Sequence, residues 1–199
     1  MPQRLTAIVL AAGASRRMGR CKPLLPINGR PAIEWCLDAL IRAGIDEPIV
    51  VTGANRDAVV AALRHLPVRL AHNPAAESGM ADSLRAGLRV AGSGIRAAMV
   101  CLADQPLIAP ETFRRLREQH AAIPEKILIP VFAGRRGHPT VFPMRLLSAL
   151  RNDETLTLRD IIGDNAQSVY EFPVSDRAVI MDMDTPSDYC AMQRLARES

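Results

Sequence analysis

Aromatic residues are scarce in this sequence, since Phe, Trp and Tyr make up only 4% of its 199 positions. Proteins that bind nucleic acid usually combine a dense stripe of Lys and Arg with aromatic side chains on which bases stack. No apolar stretch approaches the roughly 20 residues that a membrane-spanning helix needs. We therefore expect neither nucleic acid nor a membrane as a partner.

Cysteine is also sparse, and the four that are present lie far apart without a C-x-x-C pair. This spacing disfavours a zinc site. Cys36 and Cys101 lie in apolar segments and are expected in the core. Free thiols suit a reducing compartment, and the start of the sequence shows no apolar run typical of a signal peptide. We expect a cytoplasmic protein.

Aliphatic residues, by contrast, are abundant. Apolar residues make up 48% of the chain, which is enough for one core, and 199 residues correspond to about one domain. The net charge of +4 produces a mildly positive field that would concentrate small anionic substrates. An excess of Arg that merely solvates the surface is the alternative, and composition alone leaves both open.

Apolar runs of strand length alternate with amphipathic helical patterns along the chain. This βαβ alternation predicts a three-layer α/β/α sandwich with a mostly parallel sheet. Ligands of such sheets bind at the carboxyl ends of the strands. The predicted strands are Leu5–Ala12, Pro48–Thr52, Val68–Ala71, Arg96–Ala103, Lys126–Val131, Pro139–Phe142, Val169–Phe172 and Ala178–Met181.

The loop after the first predicted strand combines small residues with several basic ones. Small residues allow backbone N–H groups to approach an anion, and the basic side chains add positive charge. Gly13 and Gly19 fit neither the G-x-G-x-x-G spacing of dinucleotide-binding folds nor the P-loop pattern. The spacing therefore leaves a triphosphate-binding loop and a basic surface turn equally open.

The same loop, L-A-A-G-A-S-R-R-M-G-R-C-K from Leu10 to Lys22, resembles the signature of the MobA-like NTP transferases. It is most similar to the branch that contains molybdenum cofactor cytidylyltransferase. The resemblance continues in order through Asp104-Gln105-Pro106, Gly137-His138-Pro139 and Asp182-Met183-Asp184-Thr185-Pro186. It implies a single Rossmann-like nucleotidyltransferase domain over residues 1–199. It also implies transfer of CMP from CTP to the terminal phosphate of molybdopterin, with release of pyrophosphate.

The resemblance assigns roles to a few charged residues. Asp104 and Asp184 would bind Mg²⁺, a hard cation that takes carboxylates together with phosphate oxygens. Arg17 and Lys22 would join Asp104 as catalytic residues, because their charges would stabilise the departing pyrophosphate. Without the resemblance, a turn or capping role would be the more common one for a lone aspartate such as Asp104. Asp182 is the alternative second metal ligand.

Substrate contacts follow from the same resemblance. Relatives with Leu-Ala-Ala-Gly tend to use CTP and those with Leu-Ala-Gly-Gly tend to use GTP, so Ala12 favours cytosine. The acceptor is expected to contact Gly137, His138 and Pro139. The residues expected to bind the nucleotide are Leu10, Ala11, Ala12, Gly13, Arg17, Lys22, Thr52, Gly53, Asn73, Gly79 and Ser83.

Several other functions stay open at this stage. They are guanylyl transfer to the same pterin, cytidylyl transfer to a sugar or polyol phosphate, and a non-catalytic factor that delivers molybdenum cofactor to a client molybdoenzyme. The expected partners are accordingly CTP or GTP, a phosphorylated acceptor and a client molybdoenzyme. The missing glycine spacing disfavours a plain NAD(P)-binding domain.

Overall fold

A twisted, mostly parallel sheet forms the centre of the computed structural model, which describes residues 4–13, 18–75 and 79–198. Within these residues the strand order is β10-β7-β9-β6-β1-β4-β5, and β8 pairs with β7. A separate hairpin consists of β2 and β3. The strands are β1 Leu5–Ala11, β2 Pro26–Ile27, β3 Arg30–Pro31, β4 Ile49–Thr52, β5 Arg69–His72, β6 Ala97–Leu102, β7 Ile127–Phe132, β8 Arg135–Arg136, β9 Thr140–Pro143 and β10 Val169–Pro173.

Several strands run in the same direction, so their carboxyl ends lie at one edge of the sheet. β1 runs parallel to both β4 and β6, and β4 runs parallel to β5. Leu10 of β1 pairs with Val51 on one side and Leu102 on the other. β9 runs antiparallel to β6 and β7. The loops after β1, β4, β5 and β6 therefore meet at the same edge of the sheet.

Helices cover both faces of the sheet, because the side chains of β1 alternate between two apolar clusters. Ala7 and Val9 pack in a cluster with α1, α2 and α4, whereas Ile8 packs in a second cluster with α3, α5 and α6. The predicted three-layer α/β/α sandwich is confirmed. The helices are α1 Ala32–Arg42, α2 Arg56–Leu63, α3 Met80–Val90, α4 Pro110–Ala122, α5 Met144–Asn152, α6 Leu158–Asp164 and α7 Pro186–Glu198.

A third, smaller apolar cluster joins α7 to the β2–β3 hairpin. Ile27 of the hairpin is fully buried against Met183 and Met192, together with Leu25 and other residues. Polar contacts reinforce this cluster, since the Tyr189 hydroxyl donates to the Pro26 carbonyl at 2.6 Å. We call this group, Leu25, Ile27, Ala32, Met183, Met192 and Ala196, the α7 cluster.

One of the predicted strands is wrong. The segment predicted as a strand at Ala178–Met181 contains a 3-10 helix, Arg177–Ile180. The Asp176 carboxylate starts this helix, because it accepts a hydrogen bond from the Ala178 amide at 2.9 Å. Among the described residues, the helices are too short or too polar to cross a membrane.

Candidate active site

Three charged side chains from distant parts of the chain meet beyond the carboxyl ends of β1 and β6. The Lys22 ammonium donates to the Asp104 carboxylate at 3.2 Å and to the Asp184 carboxylate at 2.5 Å. These partners lie 82 and 162 residues away from Lys22 along the chain. The Lys22 side chain is 14% exposed, whereas those of Asp104 and Asp184 are 25% and 33% exposed. The site is thus a partly buried cation between two carboxylates.

The backbone fixes where the two carboxylates lie. Asp104 follows β6 by two residues, and its carbonyl accepts a hydrogen bond from the Met183 amide at 2.9 Å. Asp188 accepts hydrogen bonds from the amides of Asp184 and Thr185, while its own amide donates to the Thr185 hydroxyl. This reciprocal cap is a capping box at the start of α7. Asp188 therefore stabilises the helix, and Asp184 directs its carboxylate to Lys22.

The charges in this site shift one another's pKa values. Burial raises the pKa of Asp104, and the neighbouring ammonium of Lys22 only partly opposes this effect. Burial lowers the pKa of Lys22, but its hydrogen bond to Asp184 and the charge of Asp104 outweigh burial, so that the net shift is upward. Lys22 therefore remains positively charged at neutral pH, as its position between two carboxylates requires.

A cleft of about 290 Å³ opens beside Asp104. It lies between the loop after β1 and the first turn of α3. Gly79 precedes α3 with a φ of 127°, a conformation that favours glycine. The end of β1 and the loop after it line the cleft on one side, and the start of α3 lines it on the other. The residues that line the cleft are Leu10, Ala12, Gly13, Gly79, Met80, Ser83, Leu102 and Asp104.

Polar contacts tie the end of β5 to α3 at the wall of this cleft. The Asn73 amide donates to the Ser83 hydroxyl at 3.1 Å, and both side chains are buried. Thr52 is also buried, and its hydroxyl donates to the Ala71 carbonyl at 3.1 Å, within the sheet. Gly53 lies directly after Thr52 and is buried. Asn73, Thr52 and Gly53 therefore stabilise this edge of the sheet, and their contact with a nucleotide stays a prediction.

The Gly-His-Pro segment packs against the 3-10 helix at residues 177–180. The His138 amide donates to the Val179 carbonyl at 2.9 Å. A β-carbon on Gly137 would lie 2.7 Å from the Val179 carbonyl carbon and closer still to its oxygen, so only glycine fits there. Burial lowers the pKa of His138, and the charge of Asp182 opposes this shift. Pro139 is buried at the start of β9.

The family of the chain follows from a comparison with known proteins. Residues 7–169 match the family described as MobA-like NTP transferase domain. The chain belongs to this family. The match includes most of β1, the loop to Lys22 and the turn at Asp104, and it covers far more than half of the chain.

Curated relatives of this MobA-like chain carry different names. The nicotine blue oxidoreductase of Paenarthrobacter nicotinovorans is 35% identical over 154 residues, which are 73% of this chain and 74% of that protein. A probable molybdenum cofactor guanylyltransferase of Mycolicibacterium paratuberculosis is 32% identical over 83% of this chain and 78% of that protein. The molybdenum cofactor cytidylyltransferase of Escherichia coli is 23% identical over 93% of each chain.

Solved structures agree with the fold over nearly the whole chain. Rv0371c from Mycobacterium tuberculosis has a TM-score of 0.83 and 30% identity, with 98% of this chain and 99% of that chain covered. The structure of the same protein in complex with manganese has a TM-score of 0.79 and 28% identity, with 96% of this chain and 99% of that chain covered. The MobA-like fold is therefore shared along the chain.

The carboxylates of this MobA-like site match what a magnesium ion requires. Mg²⁺ is commonly held by one or two carboxylates together with substrate phosphates rather than by a complete protein cage. The described residues contain no group of three or more His, Cys, Asp and Glu side chains that could hold a metal ion. Asp104 and Asp184 already surround one positive charge, that of Lys22. They fit a cation that receives its other ligands from a nucleotide.

Sequence reasoning missed one residue of this site and left another open. The Gln105 amide donates to the Asp182 carboxylate at 2.8 Å and to the Val179 carbonyl at 3.2 Å. Asp182 therefore faces Gln105, whereas Asp184 contacts Lys22, and the choice between them as second metal ligand stays a prediction. Gln105 carries no charge, so only its place after Asp104 could have indicated it. Arg17 lies outside the described residues, and its role stays a prediction.

Proposed function

We propose that this protein transfers CMP from CTP to the terminal phosphate of molybdopterin and releases pyrophosphate, with Mg²⁺ held by Asp104 and Asp184. The observation that supports this most directly is the contact of Lys22 with both carboxylates at the edge of the nucleotide cleft. Family membership supports nucleotidyl transfer in general. The structure in complex with manganese shows that a protein of the same fold takes a divalent cation.

When bound, Mg²⁺ would supply positive charge that neutralises the phosphates of the NTP. The side chains of Asp104 and Asp184 would provide its protein ligands. Lys22 would donate hydrogen bonds to phosphate oxygens and so stabilise the negative charge that develops on the departing pyrophosphate. Arg17 would add a second positive charge in the same place.

The acceptor needs no general base in this reaction. A phosphate monoester has its second pKa near ~6, so its oxygen is mostly deprotonated and nucleophilic at neutral pH. This oxygen would attack the α-phosphorus while the bond to pyrophosphate breaks on the opposite side. The protein then contributes chiefly by holding the two phosphates in line. His138 and Gly137, beside Val179, would contact the acceptor phosphate.

The choice of CTP rests on Ala12. Ala12 is 4% exposed and borders the same cleft as Gly79 and Ser83, and its methyl group would narrow the space beside a base bound there. A methyl group discriminates between ligands by only about 1–3 kcal/mol, which means that other contacts must add to it. The E. coli relative named a cytidylyltransferase supports CTP, and the relative named a probable guanylyltransferase supports GTP as the alternative donor.

Pyrophosphate release by the purified full chain tests the proposal. The reaction would contain Mg²⁺, molybdopterin and either CTP or GTP, and we expect faster release with CTP. Faster release with GTP would assign the protein to the guanylyl branch. Release with a sugar phosphate or polyol phosphate but not with molybdopterin would replace the acceptor. No release with any of these acceptors would contradict transfer and favour a delivery factor.

A second candidate comes from the relative named nicotine blue oxidoreductase. Reduction of an organic substrate would require a nicotinamide or another electron donor, and it would not require two carboxylates around a lysine. The same purified protein, mixed with NADH or NADPH and a reducible dye, provides the comparison. We expect no change in nicotinamide absorbance above the rate without protein.

A further inference from the structure

Lys22 is an unusual choice of cation for this chain. The sequence contains only two lysines, Lys22 and Lys126, although Lys and Arg together number 25. Arginine thus supplies nearly all of the positive charge. Within residues 4–13, 18–75 and 79–198, the cation that contacts both Asp104 and Asp184 is nevertheless a lysine. This position therefore points to a property of the ammonium group that a guanidinium group lacks.

An ammonium group resembles a metal ion more closely than a guanidinium group does. It is a compact point charge with three donors on a flexible four-carbon stem, whereas arginine is a planar fork that binds a carboxylate with two parallel hydrogen bonds. With its nitrogen 3.2 Å from one carboxylate oxygen and 2.5 Å from the other, Lys22 places one positive charge between the two carboxylates that a divalent cation would contact.

The surroundings of the two carboxylates are fixed by backbone contacts. The Asp104 carbonyl accepts from the Met183 amide, and Met183 is fully buried in the α7 cluster. The capping box of Asp188 and Thr185 holds the backbone at Asp184. Lys22 begins the short 3-10 helix Lys22–Leu24, whose Pro23 is buried, so its backbone is held as well. The backbone is thus held around the site, whereas the Lys22 ammonium lies at the end of a flexible four-carbon stem.

We propose that Lys22 occupies the metal site in the nucleotide-free protein and leaves it for the phosphates of an arriving NTP, so that metal and nucleotide bind together. The inference rests on the proposed function only in taking Asp104 and Asp184 as the residues that hold the metal. Beyond the proposed function, the inference specifies the order in which metal and nucleotide bind. Metal alone must compete with the ammonium, whereas the metal–nucleotide complex brings phosphate oxygens that attract the ammonium away.

Binding of Mn²⁺ alone to the full chain tests this order. The free aqueous Mn²⁺ would be measured by electron paramagnetic resonance, with wild type, Lys22→Met and Lys126→Met compared without any nucleotide. We expect Lys22→Met to bind Mn²⁺ about tenfold more tightly than wild type, because the competing charge is gone. Lys126→Met should match wild type, since Lys126 is half-buried away from the two carboxylates and donates to the Gln167 carbonyl. Lys22→Gln provides a second neutral side chain if the methionine variant folds poorly.

Equal or weaker Mn²⁺ binding by Lys22→Met and Lys22→Gln would overturn the proposal. Adding Asp104→Asn to Lys22→Met should remove the gain in affinity, and a gain that persisted would place the ion elsewhere. Lys22→Arg should not bind Mn²⁺ more tightly than wild type, because its positive charge stays between the carboxylates. Failure of the proposed function is distinguishable from these outcomes, because pyrophosphate release could be absent while the Mn²⁺ affinities still follow the expected order.

Discussion

The amino and carboxyl ends of the sheet differ in how their charged side chains are arranged. At the amino end, clefts of about 750 and 550 Å³ are lined by several arginines, and Arg4 borders both. At the carboxyl end, the clefts that border Asp104 measure about 290 and 70 Å³. The amino end thus has more open volume. At the carboxyl end, one described ammonium, that of Lys22, contacts the carboxylates of both Asp104 and Asp184.

The charged groups at the amino end are largely engaged with nearby exposed groups. Arg145 pairs with Glu125 at 2.6 Å, with both side chains more than half exposed, and Arg117 donates to the Gly44 carbonyl. Exposed pairs of this kind contribute little to stability. Lys22, Asp104 and Asp184 are more buried, and three different segments must fold to bring them together. The contact between charged side chains from three segments, rather than the volume of a cleft, therefore identifies the candidate active site.

The largest expected effect comes from removing one carboxylate at the carboxyl end. We expect Asp104→Asn to lower the turnover of pyrophosphate release about a thousandfold, because the metal and Lys22 lose a shared ligand. Arg96→Ala is the matched change at the amino end, where Arg96 is exposed and borders the larger cleft. It should leave turnover unchanged. A tenfold loss in Arg96→Ala, or near-normal turnover in Asp104→Asn, would break the comparison.

The next effect concerns stability and compares two arginines. Arg85 of α3 is 3% exposed, and its guanidinium donates to the carbonyls of Leu150, Asp153 and Leu156 and to the Asp82 carboxylate. Its replacement by methionine should lower the free energy of unfolding by about 3–5 kcal/mol, since these acceptors lose a buried donor. Arg145→Met should cost less than about 1 kcal/mol. Urea denaturation measures both, and similar losses would contradict the distinction.

The smallest effect compares two glycines. Gly137→Ala should destabilise the protein by about 1–3 kcal/mol, because the new methyl group would collide with Val179 and push the 3-10 helix aside. The segment that follows carries Asp184, so the turnover should fall as well. Gly163→Ala in α6 places its methyl group in open space and should raise stability by up to ~1 kcal/mol. Thermal unfolding of both variants checks the sign of each change.

Much of the fold was predictable, because the apolar residues within each strand or helix follow a pattern that is typical of that element. The continuous apolar run of β1 and the repeating apolar positions of α1 are confirmed in the structure. The predicted strand at Ala178–Met181 failed because an apolar run shows burial without specifying the backbone. Ala178 and Val179 are indeed buried, but the carboxylate of Asp176 and the donors of Gln105 and His138 engage the backbone of this segment.

The candidate active site was less predictable from the spacing of its residues than from the resemblance to the MobA-like family. Lys22, Asp104 and Asp184 lie too far apart in the sequence for any local pattern to connect them, and the family signature is what grouped them. Parallel strands explain how Asp104 reaches the edge beside Gly13, but the path that brings Asp184 there depends on packing of α7. The contact between Gln105 and Asp182 is likewise a tertiary feature, since 77 residues separate the two.

The α7 cluster has a consequence for how activity is lost under stress. Asp104 follows a strand of the main core, whereas Lys22 and Asp184 adjoin segments that pack in the α7 cluster. Small packing units of this kind can open separately from the rest of a domain. Amide hydrogens around Ile27 and Met192 should then exchange faster than those of β1. The enzyme would become inactive at denaturant concentrations at which its sheet is still intact.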